Sequence, residues 1–237
     1  MLAKWYWKLF DRKRHEGLLA RVKVVSPKGL KKSWYYHIDF GYGVEVRPEL
    51  KRKKDAGLNN WRNFLAPNLP DLTGKRILNI GCNTGLYDLG MLDAGAAETV
   101  GIDFSADQAE FIRDWFAERN GKDYTRARFI GADVTRYDLT SLGRFDLATL
   151  FCVAYHLGDA IDRVMEQLRQ MTPAITLQGN LPRLTNPKYR GRSHQHLAGV
   201  SGMSELLRQY GYTEIEVVAP EGYEKPLVIG CKAEGED

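Results

Sequence analysis

Hydrophobic and polar positions along this chain change period repeatedly. From residue 59 onward, short apolar runs alternate with stretches of helical periodicity. The pattern predicts a helix near 58–66 and a strand over 75–80. A helix over 85–95 and a strand over 97–102 follow. Ser105 is placed to cap the next helix, with Gln108 in capping-box position and Phe111, Ile112, Trp115 and Phe116 on its apolar face. Further strands are expected at 126–130 and 145–152, a helix at 159–171 and a strand at 173–178. After an irregular stretch, 179–200, come a helix at 201–210 and strands at 213–218 and 226–232. Strand–helix alternation implies an α/β fold with a doubly wound, mostly parallel sheet of seven strands. The short connection between the last two strands suggests an antiparallel edge hairpin. Upstream, 3–24 reads as a helix bearing Trp5, Leu9, Leu18, Leu19 and Val22 among charges. It suits either an interfacial helix or one that packs on its own domain or on a second subunit. Residues 25–58 are a mixed segment whose Trp34–Val46 part has strand-like content and is expected to fold over the mouth of the site. The chain thus divides into a basic N-terminal helix and pre-domain segment, 1–58, and an α/β domain, 59–237.

The strand ends carry the chemistry. Arg76-Ile77-Leu78-Asn79-Ile80 runs into Gly81-Cys82-Asn83-Thr84-Gly85, and the next strand closes on Val100-Gly101-Ile102-Asp103-Phe104. A strand, a glycine turn, a helix and a second strand ending in an acid form a nucleoside-binding unit, in which the acid accepts from ribose hydroxyls. Asn83 occupies the place of the second glycine in a dinucleotide fingerprint. The turn therefore suits a ligand without a phosphate, such as S-adenosylmethionine, better than a nicotinamide dinucleotide. Gly131-Ala132-Asp133-Val134 puts another carboxylate on the same rim, where it would accept from an adenine amino group or simply cap a turn. The apolar strand Phe145–Val153 leads into Ala154-Tyr155-His156-Leu157, beside the expected reactive end of the ligand.

From Asn59 onward the chain resembles the class I S-adenosylmethionine-dependent methyltransferases, which have a Rossmann-like fold. Leu72–Gly85, Val100–Asp103 and Ala154–Leu157, with Ser33–Gly41 upstream, resemble the tRNA wobble-uridine methyl- and carboxymethyltransferase branch. The resemblance implies S-adenosyl-L-methionine held by Asn60, Asn79, Gly81, Asn83, Gly85, Asp103, Phe104, Asp133 and Val134. It also implies O-methylation of a wobble hydroxyuridine in tRNA; a glycan, glycolipid or small-molecule acceptor is the alternative. Asn79 stands where that family usually has an acid. Tyr36 stands where carboxymethyl-transferring members have a lysine, and the basic residue expected near the C-terminal strand is not clearly matched at Glu224-Lys225-Pro226-Leu227. These departures favour plain methyl transfer.

Charge and composition narrow the picture. Residues 1–62 carry a balance of +10 and the remainder −6, within a net charge of +4. A polarised field of this kind suits tRNA or another polyanion, or serves as a solvated face. Three separated cysteines, no CxxC and no membrane-length apolar run fit a cytoplasmic protein without a disulfide framework or integral membrane segment. A homo-oligomer is compatible with the sequence.

Candidate catalytic residues are Tyr155, to orient the acceptor, and His156, to assist deprotonation or fix its loop. Trp34, Tyr36, Arg183, Tyr189, Arg192, His194 and His196 are expected to line the acceptor side. His194-Gln195-His196 lacks the partners a metal site needs, and no metal is expected. An NAD(P)-dependent oxidoreductase and a binding-only degenerate fold are the remaining readings; Asn83 opposes the first, while Asp103, Asp133 and Tyr155-His156 oppose the second.

Overall fold

A computed structural model describes residues 11–46, 56–189 and 194–233. Trp5, Leu9, the basic run 51–54 and Arg192 lie outside them. Seven strands form the central sheet: β3 (Arg76–Ile80), β4 (Glu98–Asp103), β5 (Ala127–Gly131), β6 (Leu147–Phe151), β7 (Ala174–Gln178), β8 (Glu214–Val218) and β9 (Leu227–Cys231). Their order is β5-β4-β3-β6-β7-β9-β8, and only β9 runs against its neighbours. The expected seven-stranded, mostly parallel α/β sheet is thus observed, with β9 lying between β7 and β8. Chain order reverses between β3 and β6, and a crevice opens at the carboxyl ends of strands there.

Buried apolar residues fall into two clusters, one on each face of the sheet. One joins Leu78, Ile80, Val100 and Leu150 to Val164 and Leu168 of α5 (Ile161–Met171) and Met203 and Leu207 of α6 (Val200–Gln209). The other joins Ile77, Leu147 and Phe151 to Leu89 of α3 (Leu86–Asp93) and to Ile112 and Trp115 of α4 (Ala106–Asn120). It also takes in Leu18 and Val22 of α1 (Arg12–Val24), Trp34, and Ile38, Phe40, Val44 and Val46 of the hairpin β1 (Ile38–Gly41) and β2 (Val44–Val46). The described part of the N-terminal helix therefore packs on its own domain. The division at 58/59 falls within α2 (Ala56–Asn60), which runs on into a π-helical turn, Trp61–Leu65.

The capping box at Ser105 does not form. Ser105 makes no side-chain cap. Gln108 is buried and donates instead to the Val25 carbonyl at 2.9 Å and the Ser33 carbonyl at 2.8 Å, tying α4 to the N-terminal segment. Two long-range carbonyls in a dry environment outcompete a solvent-facing local cap.

Candidate active site

The β3–α3 turn alternates left-handed residues at Gly81, Asn83 and Gly85 (φ 72°, 53° and 71°). A side chain at Gly81 would run into Val153. The turn brings the Asn83 N–H to Oδ2 of Asp103 at 3.1 Å, while Ser105 N–H donates to Oδ1 at 2.9 Å. Asp103 is thereby fixed at the end of β4 by two backbone donors, with lone pairs left for a further donor. Gly81, Asn83, Asp103 and Phe104 line a cavity of about 310 Å³ together with Asp133 and Val134.

Asp133 Oδ1 accepts from Thr135 N at 3.0 Å and Oγ1 at 2.6 Å; these bonds, the hydroxyl's first, hold its carboxyl below the usual range. The same Asp-x-Thr turn recurs at Asp71, Asp123 and Asp138, none of which lines this cavity. The turn is thus a structural habit of this chain, and what distinguishes Asp133 is its position on the rim.

Several expected residues sit elsewhere. Asn79 is buried beneath the turn, with Nδ2 donating to Asp88 Oδ2 at 2.7 Å and Oδ1 accepting from Thr149 Oγ1 at 3.1 Å. Strand alternation turns it into the core. Asp88 is fully buried, and burial pushes its carboxyl up to about 8. The pair Asn79–Asp88 places a carboxyl on the helix where the family pattern leads one to expect it on the strand. Gly85 serves packing, since a Cβ there would come within 2.5 Å of the Phe129 ring. Trp34 does not close the cavity: it is buried against Phe40, with Nε1 donating to Ser26 Oγ at 2.7 Å. Its neighbours Tyr35 and Tyr36 line the cavity instead.

Asn60 stands behind the wall, donating to Tyr87 Oη at 2.9 Å and to Gln178 Oε1 at 3.4 Å. Tyr87, Gln178 and Cys152 line the cavity, and Tyr36 Oη donates to Tyr87 Oη at 3.2 Å. Burial pushes Tyr36 well above and Tyr87 to about 12, so both stay neutral phenols. Sequence reasoning missed Tyr87, Gln178 and Cys152; a polar residue closing the apolar run of β7 was the available signal for Gln178. Lys225 also lines the cavity, supplying the cation that the sequence left unassigned.

His156 reaches the rim, whereas Tyr155 is buried behind it because its ring packs into the core. Arg183 stacks on the Tyr155 and Tyr189 rings, at 4.4 and 4.2 Å, and brings Nη1 to 2.8 Å from His156 Nε2. That nitrogen accepts from the guanidinium and is not free to take an acceptor's proton. Arg183 and Tyr189 thus join the rim through His156 without lining the cavity. His194 and His196 do not line it; their rings lie 6.0 Å apart in the turn that enters α6, with His194 Nδ1 at 3.9 Å from Asp159. Among the described residues no group of three or more His, Cys, Asp or Glu could hold a metal, and no helix is long and apolar enough to cross a membrane.

The cavity fits an S-adenosylmethionine-like ligand. Its acceptor set, two rim carboxylates beside a turn bearing the Asn83 side chain, suits hydroxyl, amine and sulfonium groups and repels a pyrophosphate.

Residues 78–173 match the family described as methyltransferase domain. A tRNA U34 carboxymethyltransferase of Klebsiella pneumoniae is 30% identical over 135 residues, covering 56% of this chain and 36% of that protein. One from Idiomarina loihiensis is 26% identical over 180 residues, covering 68% and 52%. The chain thus spans between about a third and a half of these relatives' length. Among solved structures, the N-terminal domain of EvdMO1 in the presence of SAH and D-fucose superposes with a TM-score of 0.62 at 19% identity, covering 92% of this chain and 96% of that one. That likeness is one of fold.

Proposed function

We propose that this chain, built around a class I S-adenosylmethionine-dependent methyltransferase domain, moves a methyl group from S-adenosylmethionine to an oxygen acceptor, in the first reading the hydroxyl of a wobble hydroxyuridine in tRNA. One observation carries it: Asp103, fixed by Asn83 and Ser105 backbone donors, shares a single cavity with the Gly81 turn and with Asp133. S-adenosylmethionine, when bound, supplies a methyl carbon already activated on a cationic sulfur. The residues then have little covalent work. Asp103 holds the ribose, and Asp133 and Val134 border the base. Tyr36, Tyr87 and Gln178 form a neutral wall, and Tyr35 and Phe104 flank the mouth. Positioning and exclusion of water supply the rate. His156, engaged by Arg183, orients the acceptor; as the oxygen–methyl bond forms, the sulfur–methyl bond breaks to leave S-adenosylhomocysteine, and the hydroxyl proton passes to solvent at the cavity mouth.

The tRNA reading draws on the matched relatives and on the basic balance before residue 62. A sugar or small-molecule hydroxyl is the second reading, favoured by the near-complete coverage of a domain crystallised in the presence of D-fucose. Methylation of bulk tRNA against a panel of small hydroxyl acceptors separates the two.

The transferred group is tested by competition binding of the ordinary and a carboxylated donor. Lys225 is half-exposed, so its pairing with a carboxylate is worth only about 0–1 kcal/mol. That gain does not offset repulsion from the Asp103 and Asp133 carboxylates in the same cavity, so the ordinary donor should be preferred. Tighter binding of the carboxylated donor, lost in Lys225→Ala, would move the reading to carboxymethyl transfer.

A further inference from the structure

We infer that the groove between α1, the tip of the β1–β2 hairpin and the C-terminal half of α4 binds backbone phosphates of an RNA acceptor. The inference rests on the tRNA reading above and adds where the chain grips the RNA.

The groove is a cavity of about 740 Å³ whose charged lining is Arg14, Arg21 and Arg119 against Glu118. Tyr42 and Trp115 supply aromatic faces. The Arg14 guanidinium lies 5.6 Å from the Tyr42 ring and that of Arg21 5.9 Å from the Trp115 ring. Stacking of this kind orients a guanidinium while leaving N–H groups at its edge, the fork that matches phosphate oxygens. The acidic partners compete weakly: Arg14–Asp11 and Arg21–Glu118 are solvent-exposed pairs at 3.3 and 3.5 Å.

Packing sets the floor and the tip of the groove. Trp115 is 6% exposed, and its Nε1 has no hydrogen-bond partner among the described residues. An indole N–H only donates, and a buried donor without an acceptor is costly. That nitrogen is itself shielded from the groove, so Trp115 forms the packed floor beneath the three arginines and offers a ligand no N–H. Tyr42 also adopts φ 49° between Gly41 and Gly43 at 81° and 73°, a conformation rare for an aromatic residue; it sets the hairpin tip into the groove.

Three guanidinium groups call for an anion with several oxygens, and the partly exposed Tyr42 ring adds a platform for an unpaired base. Loop RNA offers both. The rim of the active-site cavity carries carboxylates and repels phosphates, so a phosphate grip belongs elsewhere. Along α4, Trp115 and Arg119 lie roughly 20 Å from Phe104, at a rise of about 1.5 Å per residue. RNA held in the groove would present a nucleotide several positions away to the cavity.

The test uses the full chain, a labelled RNA stem-loop and a salt series from about 50 to 200 mM. The triple variant Arg14→Gln/Arg21→Gln/Arg119→Gln should bind RNA about tenfold more weakly, and the steepness of log affinity against log salt should fall by about two. The corresponding triple lysine variant should keep the slope, as should Arg208→Gln, which lies outside the groove. Affinity for S-adenosylhomocysteine and the melting temperature check that each variant is folded and loaded normally. RNA binding with an unchanged slope in the triple variant overturns the groove and leaves the tRNA reading standing. Failure of the native chain to bind RNA, while it binds S-adenosylhomocysteine, overturns both. Binding of inorganic polyphosphate but not RNA overturns the groove as an RNA site.

Discussion

Asp88 is a carboxyl group sealed from water, and its proton sets a pH dependence. Its folded value is raised from 3.8 to about 8, chiefly by burial and against the opposing bond from Asn79. Below about pH 4 both folded and unfolded chains hold the proton, and the group contributes no difference. Between about 4 and 8 the unfolded chain releases it and the folded chain keeps it, so stability falls as pH rises through that window. Asp88→Asn should abolish this fall. Melting curves should show the variant gaining on the native chain from pH 5 to pH 8; parallel curves would mean the group is ionised in the folded state. Asp103 acts on the ligand instead. Asp103→Ala removes a charged acceptor and should weaken S-adenosylhomocysteine binding by roughly 1.5–3 kcal/mol, a tenfold to hundredfold loss in calorimetry. Unchanged affinity would remove Asp103 from the site.

At the scale of elements, Gln108 fastens α4 to the segment before the hairpin. Gln108→Ala leaves the Val25 and Ser33 carbonyls without that donor and should cost about 1–3 kcal/mol in urea denaturation. Faster amide exchange is expected around residues 25–46, and a loss confined to α4 would argue against the latch. This bond also marks where the sequence stops being legible. Gln108 three places after Ser105 has the spacing of a local cap, yet its partners lie 83 and 75 residues away, and nothing in a local pattern announces them. The strands were legible because each is an apolar run bounded by polar turns. The rim acid Asp103 was legible because a strand end fixes where its last side chain goes. Trp34 misled because an aromatic near a site serves equally as wall or as core. Tyr87 and Gln178 were missed because they meet only through Asn60, across 27 and 118 residues.

At the scale of the whole molecule, the N-terminal segment is part of the core rather than an attachment. Val22, Trp34, Ile38, Phe40, Val44 and Val46 are all buried against the methyltransferase face. At about 1.5–3 kcal/mol for each large side chain, removal of these six forfeits roughly 9–18 kcal/mol, comparable to the whole stability of a domain. A chain beginning at residue 59 should therefore lose its near-ultraviolet circular dichroism and bind a hydrophobic dye; a cooperatively melting fragment would support the domain boundary read from the sequence. The hairpin belongs to two cavities at once, through Tyr35 and Tyr36 just before β1 at one and Phe40 and Tyr42 at the other. A short, twice-anchored ribbon of this kind makes the two cavities partners in a thermodynamic cycle. Any factor by which filling one stiffens the ribbon and tightens the other must be returned in full when the order of filling is reversed.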